Sequence, residues 1–478
     1  MDYTEFLKRK WIIIAILFAL LSSISIWITI SGVILLILII TYNLFKEYVI
    51  LLLSLIGFLA LTGDEFESYR NIINAVLFVG LFSIYFIKNG FDISHYKRIP
   101  KELTYFIILY FASISLSTIF SHDFNLGFLV LVRSILFFFI GHIFYSFIQN
   151  KRTIYFYILS LFIIIVIIGS TLLYDFSRTG FSVYLLEGLV NRFGGIYGNP
   201  NYVGLLIVVS LPLLIVLFKI NIWQGKQKIL LLSLMLIFEF IILMLSDSRA
   251  SMLGTFAGSL FILYHFNKKL FIRITLPVVL IIIVVIIMAP DLQNILDIYL
   301  RLQRINSRDI FWQAGFDIIK DHPFLGVGPD MFDKYFFSYM PSFVNDIYAT
   351  GNWVIGKPHP HNFFLFYFAE NGIMGLITAI MFFVLFFYFA VKSIQRTRST
   401  DPDLYYLSLG ISGVGIGIFI RSFYEITGIL TYGYITRDLA FWITFIILIH
   451  IYYDSKKAII KKYSGREELL PDKLSSFS

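Results

Sequence analysis

The stretch KPHPHNFFLFYFAENGIMG, residues 357–375, joins the longest polar connection of the chain to one of its apolar helices. Pro358 and Pro360 keep the approach extended, so the sequence predicts that the helix begins at His361 or Asn362. An imidazole at a helix N-terminus is biased towards its neutral form, because the positive end of the helix dipole disfavours the imidazolium. His361 is therefore either a candidate base or only a helix cap at a membrane surface.

The residues on both sides of this stretch are mostly apolar. The chain of 478 residues is 58% hydrophobic and 14% charged, whereas soluble domains are about 45–50% apolar. Apolar runs long enough for a membrane-spanning helix recur along the sequence, and runs such as 281–287 lack the alternation of a barrel strand. We therefore predict an all-α, polytopic integral membrane protein, with residues 1–478 forming a single membrane domain. Without cysteine, the chain has no disulfide, thiolate nucleophile or cysteine metal site.

The apolar segments give the number of spans. The first two are short and are compatible with one hairpin or one broken helix, so we predict about 12–14 spans. The candidates lie near residues 11–26, 28–41, 47–62, 70–87, 103–120, 127–148, 153–173, 200–218, 229–246, 249–265, 270–289, 361–391, 404–420 and 437–453.

Lysine and arginine are distributed unequally between the connections. If the N-terminus is cytoplasmic, the cytoplasmic segments hold 25 of the 38 basic residues, of which 18 are lysine and 7 are arginine. This is the positive-inside pattern, so both termini, including a tail at residues 454–478, are predicted to lie in the cytoplasm. The net charge of +8 then reflects topology, and no nucleic-acid partner is expected.

The outer side has the opposite preference, with 3 lysines and 10 arginines. The planar fork of arginine matches phosphate oxygens in a bidentate manner, whereas lysine is a point charge, so the excess suggests a phosphate-bearing ligand. Pairing with acidic lipid headgroups or nearby carboxylates is the alternative. The ten are Arg70, Arg133, Arg178, Arg192, Arg249, Arg301, Arg304, Arg308, Arg421 and Arg437.

Two connections on the outer side are long. Residues 174–199 form an outer loop, at whose end Asn199 is predicted to cap the next helix and Pro200 suits the first turn of that helix. Residues 290–360 form a larger extracytoplasmic subdomain. Within it, Leu325-Gly-Val-Gly328 has the composition of a turn.

The large connection carries three arginines at helical spacing. Arg301, Arg304 and Arg308 share one face if their helix is continuous. Asn306 or Ser307 is instead able to cap a new helix, which would separate Arg308 from the other two. The sequence leaves both arrangements open.

A short outer hairpin, residues 246–251, carries Arg249 at its tip. Ser246 or Asp247 is predicted to cap the following helix. A charge held where the backbone turns at the membrane face usually has a partner, so Arg249 is a candidate binding residue.

Two carboxylates fall inside predicted spans, where an isolated charge is costly. For Glu239 and Glu370 we favour structural roles over catalytic ones, either in the neutral form or paired with an arginine such as Arg133.

Four motifs occur in a characteristic order. They are Gly198-Asn-Pro-Asn201, Ser246-x-Ser-Arg249, Arg308-x-x-x-Trp312 followed by Pro323-x-x-Gly-x-Gly328-x-x-x-Phe332, and His361-Asn362 followed by Gly372 and Gly375. Together they resemble the O-antigen ligase and O-antigen polymerase superfamily of bacterial cell-surface polysaccharide enzymes. The resemblance covers about residues 190–380.

The resemblance implies transfer of a glycan from an undecaprenyl-pyrophosphate-linked donor to an acceptor hydroxyl, on the outer face of the cytoplasmic membrane. Arg249 and Arg308 match positions that would hold the pyrophosphate, and His361 matches the proposed base. The supporting candidates are His359, Asn362, Arg192, Arg301, Arg304 and Asn201. No metal or cofactor is expected; the expected partners are the donor, a glycan, lipid or protein acceptor, and membrane lipids.

Elementary chemistry agrees with these roles. The leaving group is a charged diphosphate, whose oxygens two guanidinium groups can stabilise without a metal. A neutral His361 would remove the proton of the acceptor hydroxyl as its oxygen attacks the anomeric carbon. A single displacement inverts the anomeric centre, and the paired carboxylates of a retaining hydrolase are not evident.

Three functions remain in competition. A polymerase of polysaccharide repeat units is favoured slightly over an O-antigen ligase, because ligases of the family usually have about twelve spans and up to fourteen are predicted here. A lipid or polysaccharide transporter is the alternative from another class. Transporters tend to show repeated halves with broken helices in matching positions, and this sequence shows no such repeat.

Overall fold

The computed structural model describes residues 98–148, 150–179, 192–221, 225–288, 307–340 and 358–467, together with Gly80, Phe82 and Tyr85. These ranges contain twelve helices and no strand, which confirms the all-α prediction. The helices are α1 (Lys101–Ile119), α2 (Phe124–Phe147), α3 (Lys151–Thr179), α4 (Pro200–Leu217), α5 (Lys226–Ser246), α6 (Arg249–Phe266), α7 (Lys268–Met288), α8 (Ser307–Asp321), α9 (Phe332–Tyr339), α10 (Phe363–Thr397), α11 (Pro402–Ser422) and α12 (Ile435–Glu467).

Ten of these helices coincide with the last ten predicted spans. Among the described residues, eight helices are long and apolar enough to cross a membrane: α1 to α5, α10, α11 and, within α12, Arg437–Lys456. The first four predicted spans lie outside the described residues, apart from the helical Gly80, Phe82 and Tyr85. Helix α12 continues to Glu467, so the first part of the predicted cytoplasmic tail is helical.

Helix α4 lies at the centre of the bundle and is buried along most of its length. It packs against α6 and α11, which approach each other closely through glycines. A Cβ added at Gly254 would lie 2.4 Å from the carbonyl oxygen of Gly417, and one at Gly258 would lie 2.3 Å from that of Gly413. Apolar side chains gain nothing by leaving lipid for protein, so close backbone approach between small residues stabilises this contact.

Helix α10 is interrupted at Gly372, where φ is 62° and ψ is −158°. The predicted turn of the large connection, residues 325–328, docks at this break together with the two residues before it. The Val327 N–H donates to the carbonyl of Ala369 at 3.0 Å, and a Cβ at Gly372 would lie 2.1 Å from a carbonyl oxygen of the turn. The glycines of the motifs therefore permit two backbone segments to meet, which fixes α8 and α9 on the end of α10.

Glu370 and Glu239, the two carboxylates predicted to have structural roles, both accept hydrogen bonds from described residues. The Glu370 carboxylate accepts hydrogen bonds from the N–H groups of Asp330 at 2.7 Å and Phe332 at 2.9 Å, at the start of α9. Glu239 accepts one from the hydroxyl of Ser210 at 2.9 Å. Neither carboxylate forms an ion pair with a described residue, so the suggested pairing with arginine is absent from this part of the chain.

One predicted helix cap is corrected by the structure. The residue before α6 is Ser248, whereas Asp247 closes α5 in a left-handed conformation with φ of 44° and Ser246 bonds back to Leu243 within α5. The prediction of a cap by Ser246 or Asp247 is therefore wrong. The described part of α8 runs from Ser307 to Asp321, and the choice between a continuous and a new helix depends on residues 301–306, which lie outside the described residues.

Candidate active site

A cavity of about 810 Å³ opens at the end of the bundle where α4, α10 and α12 begin. Cavities of this size accommodate small ligands or parts of larger ones. Its wall comes from four segments distant in sequence: residues 195–202 before and at the start of α4, residues 330–333 at α9, residues 358–370 before and in α10, and residues 425–437 from the loop after α11 to the start of α12.

His361 lines this cavity and contacts a buried carboxylate. Its Nδ1 lies 3.3 Å from Oε1 of Glu425, whose side chain is 3% exposed. Asn362, not His361, caps α10, because its side chain accepts a hydrogen bond from the N–H of Leu365 at 3.0 Å. His361 precedes the cap with φ of 46°, a region that non-glycine residues seldom occupy. The interpretation of His361 as a helix cap is therefore wrong.

Glu425 Oε1 is shared by three groups. Besides His361, the Asn201 amide donates to it at 2.8 Å and the Arg308 guanidinium lies 3.4 Å away. Burial raises the pKa of the Glu425 carboxyl. The charge and hydrogen bond of His361, together with the charge of Arg421, lower it by more than burial raises it, so the pKa lies below its usual value. The carboxylate is ionised at neutral pH and faces the imidazole as an anion.

His359 packs directly against His361, with 3.9 Å between ring centroids. Its Nδ1 is buried and has no hydrogen-bond partner among the described residues. Burial and the neighbouring charge of His361 lower the pKa of His359 to about 3, so this imidazole is neutral at physiological pH. Its position on the cavity wall is compatible both with assisting His361 and with shaping the loop.

Asn201 connects two of the motifs to Glu425. Its Oδ1 accepts hydrogen bonds from Arg192 at 2.7 Å and from the Ser248 hydroxyl at 3.1 Å, while its amide donates to Glu425. The predicted start of α4 is confirmed: Asn199 is the cap and Pro200 is the first helical residue. Tertiary contacts thus gather Asn201, Arg192 and Arg308 around one carboxylate.

The other predicted site residues are placed differently. Arg249 is half-buried at the first position of α6, next to Ser248, and is not part of the cavity wall. Asn362 donates from its side chain to the carbonyl of Phe423 at 3.2 Å, which ties the start of α10 to the loop that carries Glu425. Arg301 and Arg304 lie outside the described residues.

Sequence reasoning missed Glu425, and it named the nearby Arg421 only among the outer arginines. Arg421 is 1% exposed, and its guanidinium donates to Ser251 at 3.2 Å and to the Thr427 hydroxyl at 3.1 Å. Glu425 belongs to none of the quoted motifs and lies 64 positions after His361. The available signal was an acidic residue beside an arginine in a short outer connection.

The loop that carries Glu425, residues 423–434, is held by hydrogen bonds to Asp438 in the first turn of α12. The Asp438 carboxylate accepts hydrogen bonds from the Gly428 N–H and the Thr431 hydroxyl, both at 3.0 Å. The Tyr367 hydroxyl of α10 donates to the carbonyl of Leu430 at 2.7 Å. These bonds hold the carboxylate of Glu425 in place relative to α10.

Two further arginines flank one tyrosine at the same end of the bundle. Arg133 lies 3.8 Å and Arg437 lies 4.5 Å from the centroid of the Tyr434 ring. Arg133 also donates from Nε to the carbonyl of Tyr432 at 2.8 Å and lies 3.7 Å from Asp330. Tyr434 and Arg437 line the cavity.

Comparison with known proteins agrees with this placement of motifs. Residues 232–380 match a family model, Wzy_C, described as O-Antigen ligase. The exopolysaccharide production protein ExoQ of Rhizobium meliloti (strain 1021) is 29% identical over 143 residues, which are 30% of this chain and 31% of that protein. The matched segment therefore spans less than a third of the relative. Over residues 232–380 the chain is therefore similar to the O-antigen ligase family, in agreement with the resemblance that its motifs carry.

Proposed function

We propose that the protein is a membrane glycosyltransferase that moves a glycan from an undecaprenyl-pyrophosphate-linked donor to an acceptor hydroxyl. The observation that carries the proposal is the contact between His361 and the buried carboxylate of Glu425 on the wall of an 810 Å³ cavity. The family match covers His361, Arg249 and Arg308, and it favours the same class of chemistry.

The pair of His361 and Glu425 suits general-base catalysis. An ionised carboxylate beside Nδ1 favours the tautomer with the proton on Nδ1, which leaves Nε2 as the proton acceptor. The carboxylate also stabilises the imidazolium that forms when Nε2 takes the proton. In this account a carboxylate that contacts the ring directly, and not the helix dipole, prepares His361 to accept a proton.

The proposed step is a single displacement. The acceptor oxygen forms a bond to the anomeric carbon while the bond from that carbon to the diphosphate oxygen breaks, and the electron pair stays on the diphosphate. His361 Nε2 receives the proton of the acceptor hydroxyl. The anomeric centre is inverted, and arginines, including Arg308, stabilise the charge that develops on the leaving group.

Polymerase activity and ligase activity differ only in the acceptor. The name of the relative, an exopolysaccharide production protein, favours polymerisation of repeat units, whereas the family description favours ligation. The acceptor would be a second lipid-linked repeat unit in a polymerase, and lipid A core or a protein in a ligase. We favour the polymerase.

The orientation follows from the distribution of charge. With the lysine-rich connections in the cytoplasm, the ends of the helices that carry His361 and Arg308 face the outside of the cytoplasmic membrane. The cavity would then meet a donor whose glycan lies on the outer leaflet, together with the surrounding membrane lipids.

The experiment is transfer by purified protein in nanodiscs, with a labelled oligosaccharide on undecaprenyl pyrophosphate and no other protein. We expect free undecaprenyl pyrophosphate and a longer glycan, formed equally well with a chelator of divalent ions. A product seen only with added lipid A core would identify a ligase. Movement of the intact donor across the bilayer without a new glycosidic bond would identify a transporter instead.

A further inference from the structure

Arg437 is the one arginine or lysine among the described residues that line the cavity. It is half-buried in the first turn of α12, and its guanidinium lies 4.5 Å from the centroid of the Tyr434 ring. No described residue offers its side chain a hydrogen-bond acceptor, and none forms a salt bridge with it. The guanidinium is thus oriented by a ring and presents its N–H donors to the cavity.

A second arginine, Arg133, contacts the same ring. The Arg133 guanidinium lies 3.8 Å from the centroid of Tyr434, and its Nε is held by the carbonyl of Tyr432 at 2.8 Å. Asp330 lies 3.7 Å from Arg133, and both Asp330 and Asp438 interact electrostatically with Arg437. Two cations therefore share one tyrosine ring, and these two carboxylates lie close to them.

The arginines near His361 direct their guanidinium donors to acceptors within the protein. Arg308 lies 3.4 Å from Glu425, and Arg421 donates to Ser251 and Thr427. Their donors are thus partly used by protein acceptors. A diphosphate leaving group carries several oxygens that need donors as negative charge builds on them. Arg437 is the guanidinium of the wall whose donors remain for such a ligand.

We infer that Arg437, stacked on Tyr434 and backed by Arg133, is a further binding residue for the diphosphate of the lipid-linked donor. The inference rests on the proposed function and adds a cation that none of the sequence motifs contains. A guanidinium held flat by an aromatic ring loses little freedom when it forms a bidentate contact with phosphate oxygens. The carboxylate of an acidic sugar offers the same oxyanion chemistry, and the experiment separates the two sources.

The experiment measures binding of undecaprenyl diphosphate without any sugar to the purified full-length protein in nanodiscs. Arg437→Gln should weaken binding about 10- to 100-fold, the usual effect of losing a charge-assisted contact. Arg437→Lys should restore it only in part, because the fork is lost. Tyr434→Leu keeps the charge but removes the stacking partner, so we expect a smaller loss than for Arg437→Gln.

Arg396 provides a matched control. It also lies over a tyrosine ring, 4.1 Å from the centroid of Tyr452, and donates to the Tyr452 carbonyl, but it lies at the other end of α10. Arg396→Gln should bind undecaprenyl diphosphate as the wild type does. The unfolding midpoints of all variants show whether a loss of binding reflects a loss of folding.

The outcomes are distinguishable. If the wild type fails to bind undecaprenyl diphosphate, the proposed function fails. If the wild type binds and a folded Arg437→Gln binds equally well, only the role of Arg437 is overturned. A folded Arg437→Gln that keeps its affinity for undecaprenyl diphosphate but loses affinity for an oligosaccharide with a uronic acid also overturns the inference and assigns the residue to a sugar carboxylate.

Discussion

The two ends of the helical bundle both carry clusters of opposite charges, but the clusters differ in kind. At the end with the cavity, His361 and Arg308 meet the carboxylate of Glu425, which is 3% exposed. At the other end, Lys151 lies 2.6 Å from Asp401 and 3.8 Å from Asp403, and its side chain is 41% exposed. The first cluster uses histidine and arginine around one buried anion, and the second uses lysine between two half-buried ones.

Burial decides what each cluster can do. An exposed lysine pair is screened by water and contributes about 0–1 kcal/mol to stability. Removing one partner of a buried ion pair typically costs about 3–5 kcal/mol, because the remaining charge has no compensation. The same low dielectric strengthens the effect of Glu425 on the imidazole beside it. The buried cluster is therefore suited to chemistry, whereas the exposed one ties α3 to the start of α11.

The largest difference between the two clusters is expected when the proposed base, His361, is removed. His361→Ala should lower the single-turnover rate of transfer by about 10²–10⁴, the size of a general-base contribution, while donor affinity stays nearly unchanged. Lys151→Ala, at the other cluster, should change neither quantity. The measurement pairs donor binding with single-turnover transfer in nanodiscs.

Near-normal transfer by His361→Ala would refute its role as a base. Loss of donor binding as complete as for a variant of Arg308 would instead assign His361 to binding.

A smaller effect on the transfer rate is expected when the Glu425 carboxylate is replaced. Glu425→Gln keeps the shape but removes the anion that orients and stabilises the imidazole, so transfer should fall by about 10–100-fold, as for other groups that position a functional histidine. Asp401→Asn, the matched change at the cluster around Lys151, should leave the rate unchanged. Transfer by Glu425→Gln at the wild-type rate would contradict a direct electrostatic role.

The smallest effect concerns the neutral histidine. The pKa of His359 is about 3 in the folded protein, whereas an unfolded histidine has a pKa of about 6.5. Between these values the unfolded state binds more protons, so this residue lowers the stability of the fold as pH falls from 7 to 5. His359→Asn should therefore reduce the loss of thermal stability over that interval, by at most about 1.4 kcal/mol per pH unit.

The control is His265→Asn on α6, since His265 is exposed and bonds only to the carbonyl of Phe261 in its own helix. Unfolding midpoints at pH 7 and pH 5 in one detergent provide the measurement. At pH 5 most glutamates are still ionised, so Glu425 contributes little to the difference. Equal slopes for the wild type and His359→Asn would contradict a buried neutral imidazole.

Several features of the site could be predicted from the sequence because they depend on local chemistry. Asn199 and Pro200 open α4 as their side chains dictate, and the turn at residues 325–328 forms where glycines permit it. The excess of outer arginines pointed to an anion before any contact was known. Arg249 and Arg308 remain predicted pyrophosphate ligands, although only Arg308 touches the group around Glu425.

By itself, the sequence determined the helical membrane fold and the ten helices from residue 101 onwards that coincide with predicted spans, since hydropathy and helix caps are local properties. Only the tertiary structure decided which side chains act together. Glu425 reaches His361 across 64 positions, and Tyr434 is placed between arginines from α2 and α12. Such contacts arise from the packing of helices far apart in the chain, and a single sequence contains no signal for the distance between two of its helices.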